Sequence, residues 1–203
     1  MEDQKIAFKG MESQIETLFF APLRQLRQKL FGPFTAFLAH LGISANMISF
    51  ASIIPSIGFC LLAPSHFSIA FWLLALSLVC DGLDGVLARQ TQTNSMEGAF
   101  TDTFCDLCVL MLWVAGLVWR GTINPPLAIF FIYTHTMMGV FFVLHHLFKV
   151  STHWLIRPGK TFFCLALGLD FFFQVNLFNY LLAIYLFTLP FLGLSFWRLK
   201  RAL

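Results

Sequence analysis

Long apolar runs separated by short polar joints dominate the chain from residue 46 onward. A membrane-crossing helix takes about 20 mostly apolar residues, and such runs fall at roughly 46–63, 67–88, 98–119, 125–150, 160–175 and 177–198. Helix breakers mark the joints: Pro64-Ser65, the polar run Gln90 to Asn94, Asn124-Pro125-Pro126, Arg157-Pro158-Gly159, and Asn176. The fifth run is short. The pattern predicts an all-α polytopic membrane domain of about six spanning helices over residues 45–203. Residues 1–44 form a separate leading segment. Within it, "PLRQLRQKLFGPF" opens on Pro22, a favourable first helical position, and sets Leu23, Leu26 and Leu30 opposite Arg24 and Gln28. That spacing predicts a basic amphipathic helix lying on the cytoplasmic interface; a solvated basic leader fits the same residues.

Composition agrees with a membrane protein. Of 203 residues, 58% are hydrophobic and 11% charged, against about a quarter charged in soluble domains. The 26 phenylalanines suit a lipid-facing surface. A net charge of +3, with no basic stripe, argues for no nucleic-acid partner. Basic residues are retained on the cytoplasmic side. Of the 13 Lys and Arg, only Arg120 falls on the opposite face once six spans are drawn. Both termini and the joint after the second span are therefore expected in the cytoplasm. No cleavable signal peptide is expected, because the first thirty residues are charged and lack an apolar core. Five cysteines scattered through apolar runs do not make a disulfide framework, and Cys105-x-x-Cys108 lacks the partners of a zinc site.

The stretch "CDGLDGVLARQTQTNSMEGAFTDTFCDL" breaks the apolar pattern with Asp81, Asp84, Asp102 and Asp106. At 100° per residue, Asp81, Asp84, Gly85 and Ala88 share an arc of about 100° on the second spanning helix. Gly98, Asp102 and Asp106 share about 80° on the third. The linker lets the two helices return antiparallel, so the acidic faces can meet near the cytoplasmic end. A carboxylate at the bilayer centre costs roughly 2.5–3.5 kcal/mol, and four would cost on the order of 10 kcal/mol, less near the interface. Arg89 is the only basic residue in the stretch. Divalent cations would offset both the desolvation and the mutual repulsion, and oxygen-only ligands favour Mg²⁺, Mn²⁺ or Ca²⁺ over zinc. Four carboxylates can hold a pair of ions about 3.5–4 Å apart, as phosphoryl transfer uses. The small residues Gly82, Gly85, Ala88 and Gly98 either let the helices pack closely or leave room for a nucleotide.

Asp81, Asp84, Gly85, Ala88, Arg89, an eight-residue spacer, then Gly98, Asp102 and Asp106 resemble the signature of the CDP-alcohol phosphotransferase (CDP-alcohol phosphatidyltransferase) family, D-x2-D-G-x2-A-R, spacer, G-x3-D-x3-D. Two further echoes are Asn46 and Ser49, where the family often has P-N-x-x-T/S, and Gly159-Lys160, where it often has G-K. The position before Asn46 is Ala45 instead of Pro. The resemblance implies transfer of a substituted phosphate from a CDP-linked donor such as CDP-diacylglycerol to an alcohol, with release of CMP. It implies Mg²⁺ or Mn²⁺, two ions, held by Asp81, Asp84, Asp102 and Asp106, with Asp106 also the general base. It further implies that Gly85, Ala88 and Gly98 admit CMP, that Arg89 pairs with phosphate, that Asn46 and Ser49 line the pocket, and that the protein is a homodimer in the bilayer. Relatives using glycerol 3-phosphate or phosphatidylglycerol often carry Lys after the last aspartate, where this chain has Leu107, so the acceptor alcohol stays open.

Outside the motif, Arg157 and Lys160 are candidates for binding an anionic acceptor, or only follow the basic bias. Asp170 is a carboxylate within the fifth run and so a candidate functional group, unless it approaches the far interface. His135, His145, His146 and His153 lack the spacing of a metal site and are expected to be packed or interfacial. Glu97 and Thr101 lie beside the acidic face. A cation transporter or channel using the aspartates is the competing function, and it predicts polar groups spread through the membrane depth. An inactive scaffold homologue is a third, opposed by the intact aspartates.

Overall fold

A computed structural model describes residues 14–93, 95–148, 150 and 159–202. Every regular element among them is helical: α1 (Gln14–His40), α2 (Ala45–Ala51), α3 (Ile53–Leu62), α4 (Phe67–Gln90), α5 (Met96–Trp119), α6 (Pro125–Leu147), α7 (Gly159–Phe173), α8 (Phe178–Tyr185), a 3₁₀ turn (Leu186–Thr188) and α9 (Leu189–Ala202). Five stretches are long and apolar enough to cross a membrane: Ala45–Leu62, Phe67–Gln90, Phe100–Trp119, Pro125–His145 and Phe178–Arg201. The chain is an all-α integral membrane protein.

The structure sharpens three expectations. The leading helix does not begin at Pro22; α1 already covers Gln14 and continues through both Pro22 and Pro33. Proline's fixed φ is helical, but each interior ring removes one backbone hydrogen bond and crowds the carbonyl four residues before it. The fifth run, short in the sequence, is a helix of 15 residues whose apolar part is Phe163–Phe173. It stops where Gln174 turns into the left-handed region at φ 56°. The last run is helical in two pieces joined by the 3₁₀ turn.

Local chemistry sets the elements around the acidic stretch. The end of α1 is a Schellman turn: Gly42, at φ +75°, donates to Ala39 O, and Ile43 N–H donates to Leu38 O. Ser44 then caps α2, its Oγ accepting from Met47 N–H, and Ser95 caps α5 by accepting from Gly98 N–H. Pro55 has no N–H for the carbonyl of Ala51, and the first span accordingly parts into α2 and α3 at Ser52.

The first span packs against α4 and α5, and α1 lies against the end of α4. Phe59, Ala63, Ala70, Leu74, Trp113, Val114, Leu117, Phe163 and Leu167 form the main core. Gly116 is where α3 and α5 approach most closely, since a Cβ there would sit 2.9 Å from Cys60 Cα. Outward, Ile54, Ile57, Leu61, Trp72, Leu76, Ile129 and Phe130 stay exposed, as a lipid-facing surface requires.

Candidate active site

The second half of α4 and the first half of α5 bring the aspartates together. Ligand oxygens of Asp81, Asp102 and Asp106 all lie within 4.8 Å of one another. Metal–oxygen distances for hard divalent cations are about 2.0–2.6 Å, so oxygens on opposite sides of one ion are separated by about that span. The three carboxylates fit one coordination shell. Asp84 stands beside this trio. It is buried, within electrostatic reach of Asp102 and Asp81, and its Oδ2 accepts a 2.6 Å hydrogen bond from Ser49 Oγ.

A cavity of about 410 Å³ opens over Asp84 and Asp102. Its floor is Gly85, Ala88 and Arg89 of α4 with Gly98 of α5, and its wall is Asn46 and Ser49 of α2. Every candidate from the two motifs therefore sits either in the acidic trio or on this cavity. The two explanations of the small residues divide by position. Gly82 is buried toward α1, where a Cβ would meet the Phe31 ring at 3.3 Å. A Cβ on Gly85 would meet only Arg89 Nη1 at 3.5 Å, so that face is open. Gly98 is tighter, since a Cβ there would meet Ser95 Oγ at 3.3 Å, Asn46 Oδ1 at 3.7 Å and Thr93 O at 3.9 Å, all from residues that line the cavity.

The cavity also has a wall that the motifs do not mark. Ser44, Thr91, Thr93, Ser95 and Glu97 line it. Thr91 Oγ1 donates to Leu87 O and lies 2.9 Å from Thr93 Oγ1, while Gln92 turns the chain at φ 54°. In sequence this polar run is indistinguishable from a plain linker. The signal available was its density of hydroxyls between two acidic helices. Thr101 bonds back to Glu97 O.

The remaining candidates fall elsewhere. Arg157 and His153 lie outside the described residues, and Lys160 is described by its backbone alone, in the first turn of α7. Asp170 is paired with Arg120 at 2.7 Å, at the end of the bundle opposite the acidic trio. Arg120 also lies 3.5 Å above the Phe67 ring. His135 Nδ1 meets Tyr185 Oη at 3.1 Å, and His145 Nε2 meets Ser195 Oγ at 2.6 Å, both packing contacts between α6 and the last span. All five cysteines are thiols. Below the site, Phe59, Ala63, Trp113 and Leu117 are at most 1% exposed and pack together in the core.

No curated protein matches the chain. The family model described as CDP-alcohol phosphatidyltransferase matches residues 42–192, which includes α2, both acidic helices and the start of α9. The chain thus belongs to the CDP-alcohol phosphatidyltransferase family, membrane transferases of phospholipid-type phosphotransfer from a CDP-alcohol.

Proposed function

We propose that the protein transfers a substituted phosphate from a CDP-linked lipid donor, CDP-diacylglycerol, to an alcohol acceptor and releases CMP. The observation that carries this is the acidic trio set beside a cavity of about 410 Å³ whose floor is small residues. Asp84, Glu97 and Asp102 line that cavity against a single guanidinium, Arg89. A diphosphate would be repelled by such a lining unless cations came with it. Asp81, Asp84, Asp102 and Asp106 would hold Mg²⁺ or Mn²⁺, two ions in all. Such ions, when bound, neutralise the diphosphate and the charge that develops on departing CMP.

The residues divide the remaining work. Gly85, Ala88 and Gly98 leave space for the CMP moiety against the helix backbones. Arg89 pairs with a phosphate oxygen, a geometry its donors suit. Asn46 and Ser49 close the side of the pocket. Asp106 accepts the proton of the acceptor hydroxyl as its oxygen attacks phosphorus and the bond to CMP breaks. Arg157 and Lys160, near the start of α7, would hold an anionic acceptor.

The site and both termini face the cytoplasm in this proposal, and residues 45–203 form the catalytic domain. Residues 1–44 form the cytoplasmic leading segment, whose helix α1 lies on the membrane surface. In support, Leu26, Leu30, Phe34 and Phe37 are all more than half exposed and fall within about 80° of arc on α1, with exposed Leu41 just past its end. An apolar stripe of that kind beside Arg27 and Lys29 suits the headgroup boundary.

The test is CMP release by purified protein with Mg²⁺ or Mn²⁺, CDP-diacylglycerol and a panel of alcohols. A second series pairs CDP-linked head groups with diacylglycerol. Alcohol-dependent CMP release is expected, falling about 10²–10⁴-fold in Asp106→Asn, the range for a lost general base. No release with any pair, or full activity in Asp106→Asn, would refute the proposal.

A further inference from the structure

Behind Asp84 runs an unbroken chain of buried hydrogen bonds drawn from the first span, α4 and α5. Trp113 Nε1–H donates to Ser56 Oγ at 3.1 Å, and Ser56 Oγ lies 2.8 Å from Ser77 Oγ. Ser77 Oγ donates to Ser52 O at 2.9 Å, and Ser52 Oγ donates to Ser49 O at 2.7 Å. The chain ends where Ser49 Oγ donates to Asp84 Oδ2 at 2.6 Å. No member is more than 6% exposed.

Both ends of this network have fixed roles. An indole N–H can only donate, and an ionised carboxylate can only accept. Trp113 therefore occupies an acceptor site of Ser56, and the carbonyl of Ser52 accepts from both the Ser77 hydroxyl at 2.9 Å and the Ser56 hydroxyl at 3.0 Å. That carbonyl sits at the break Pro55 opens between α2 and α3. The hydroxyl of Ser77 thus holds the break in place from α4. The break in turn sets where Ser49 meets Asp84.

We propose that Ser49 is a positioning residue for Asp84, and that Ser52, Ser77, Ser56 and Trp113 set its geometry from inside the membrane domain. This rests on the proposal that Asp84 is a metal ligand. Hydrogen-bonding partners of ligating carboxylates typically govern metal affinity by 10–100-fold. Committing Oδ2 of Asp84 to Ser49 before an ion arrives removes rotational freedom that binding would otherwise have to quench. A hydroxyl that only satisfied buried polarity would alter stability on removal and leave the affinity of folded protein for the ion unchanged.

The test is Mn²⁺ binding to the detergent-purified full chain without substrate, followed by electron paramagnetic resonance of the free ion. Thermal midpoints of each variant report folding. Parent protein should bind, Asp84→Asn should bind far more weakly, and Ser49→Ala should weaken binding about tenfold or more. Ser49→Thr, which keeps the hydroxyl, should restore affinity to near the parent value. Ser77→Ala and Trp113→Phe should weaken Mn²⁺ a few-fold, and in CMP release should raise the Mg²⁺ needed for half-maximal rate while leaving the rate at saturating Mg²⁺ close to the parent. Parent-like Mn²⁺ affinity in Ser49→Ala overturns the role of Ser49 while leaving the metal site standing. Parent-like affinity in both Ser77→Ala and Trp113→Phe overturns the deeper half of the chain. A parent protein that binds no Mn²⁺ overturns the metal site itself.

Discussion

Gly85 and Gly116 share a side chain and differ in what they leave room for. A Cβ at Gly116 would come within 2.9 Å of the Cα of Cys60 and 3.1 Å of the Phe59 ring, so backbone would have to move. Overpacking of this kind costs about 1–3 kcal/mol, more than the ~1 kcal/mol a helix gains from Gly to Ala. A Cβ at Gly85 meets nothing closer than 3.5 Å and enters the cavity. Gly116→Ala should therefore lower the thermal midpoint. Gly85→Ala should hold or raise it and increase KM for the CDP-linked donor about 10- to 200-fold, the worth of one misplaced methyl. Unfolding in detergent and CMP-release kinetics check the pair; an unchanged donor KM in folded Gly85→Ala would remove CMP from that face. At this scale the aspartates were legible in sequence because spacings of three and four residues carry helical geometry directly. Thr91, Thr93 and Ser95 were not, because their wall depends on Gln92 entering a left-handed conformation that side-chain chemistry does not announce. The buried serines were equally silent, since a Ser in an apolar helix looks the same whether it bonds its own turn or a neighbour's.

Among the elements, α7 shows what pattern alone leaves out. The short apolar run forms a helix of only 15 residues that ends at Phe173, at the end of the bundle opposite the acidic trio. The far end of the bundle is built to receive it. Asp170, one turn from that end, pairs with Arg120 at the end of α5, and Asn176 and Asn179 both donate to Thr122 O in the following loop. Arg120 looked in sequence like the lone exception to the basic bias; its surroundings give the reason it is there. It binds Asp170 and the face of Phe67 in one place. Asp170→Asn should cost about 1.5–3 kcal/mol, the range for a hydrogen bond to a charged group, and leave CMP release per folded molecule unchanged. Thermal unfolding beside activity separates these, and a loss of turnover without a loss of stability would return Asp170 to the list of catalytic candidates.

For the molecule as a whole, the two ends of the bundle carry opposite chemistry. One end holds the acidic trio, the cavity and the loop from Thr91 to Ser95; the other holds Arg120, Asp170 and the asparagines. Arg89 lies at the first end, on the cavity, and Arg120 at the other end is held by a carboxylate; in the sequence, Arg120 alone of the 13 Lys and Arg breaks the basic bias. In the orientation proposed from retention of positive charge on the cytoplasmic side, CDP-linked substrate would reach the site from the cytoplasm, and the joints at Ser65 and Gly121 would face outward. Cysteines placed in the exposed loops at Gln92 and Ser65 separate the two orientations. In intact cells a membrane-impermeant maleimide should label Ser65→Cys at once and Gln92→Cys only after permeabilisation, each compared with the parent to subtract the native thiols. Labelling of Gln92→Cys in sealed cells would invert the protein, and would require the nucleotide donor to be supplied from the opposite compartment.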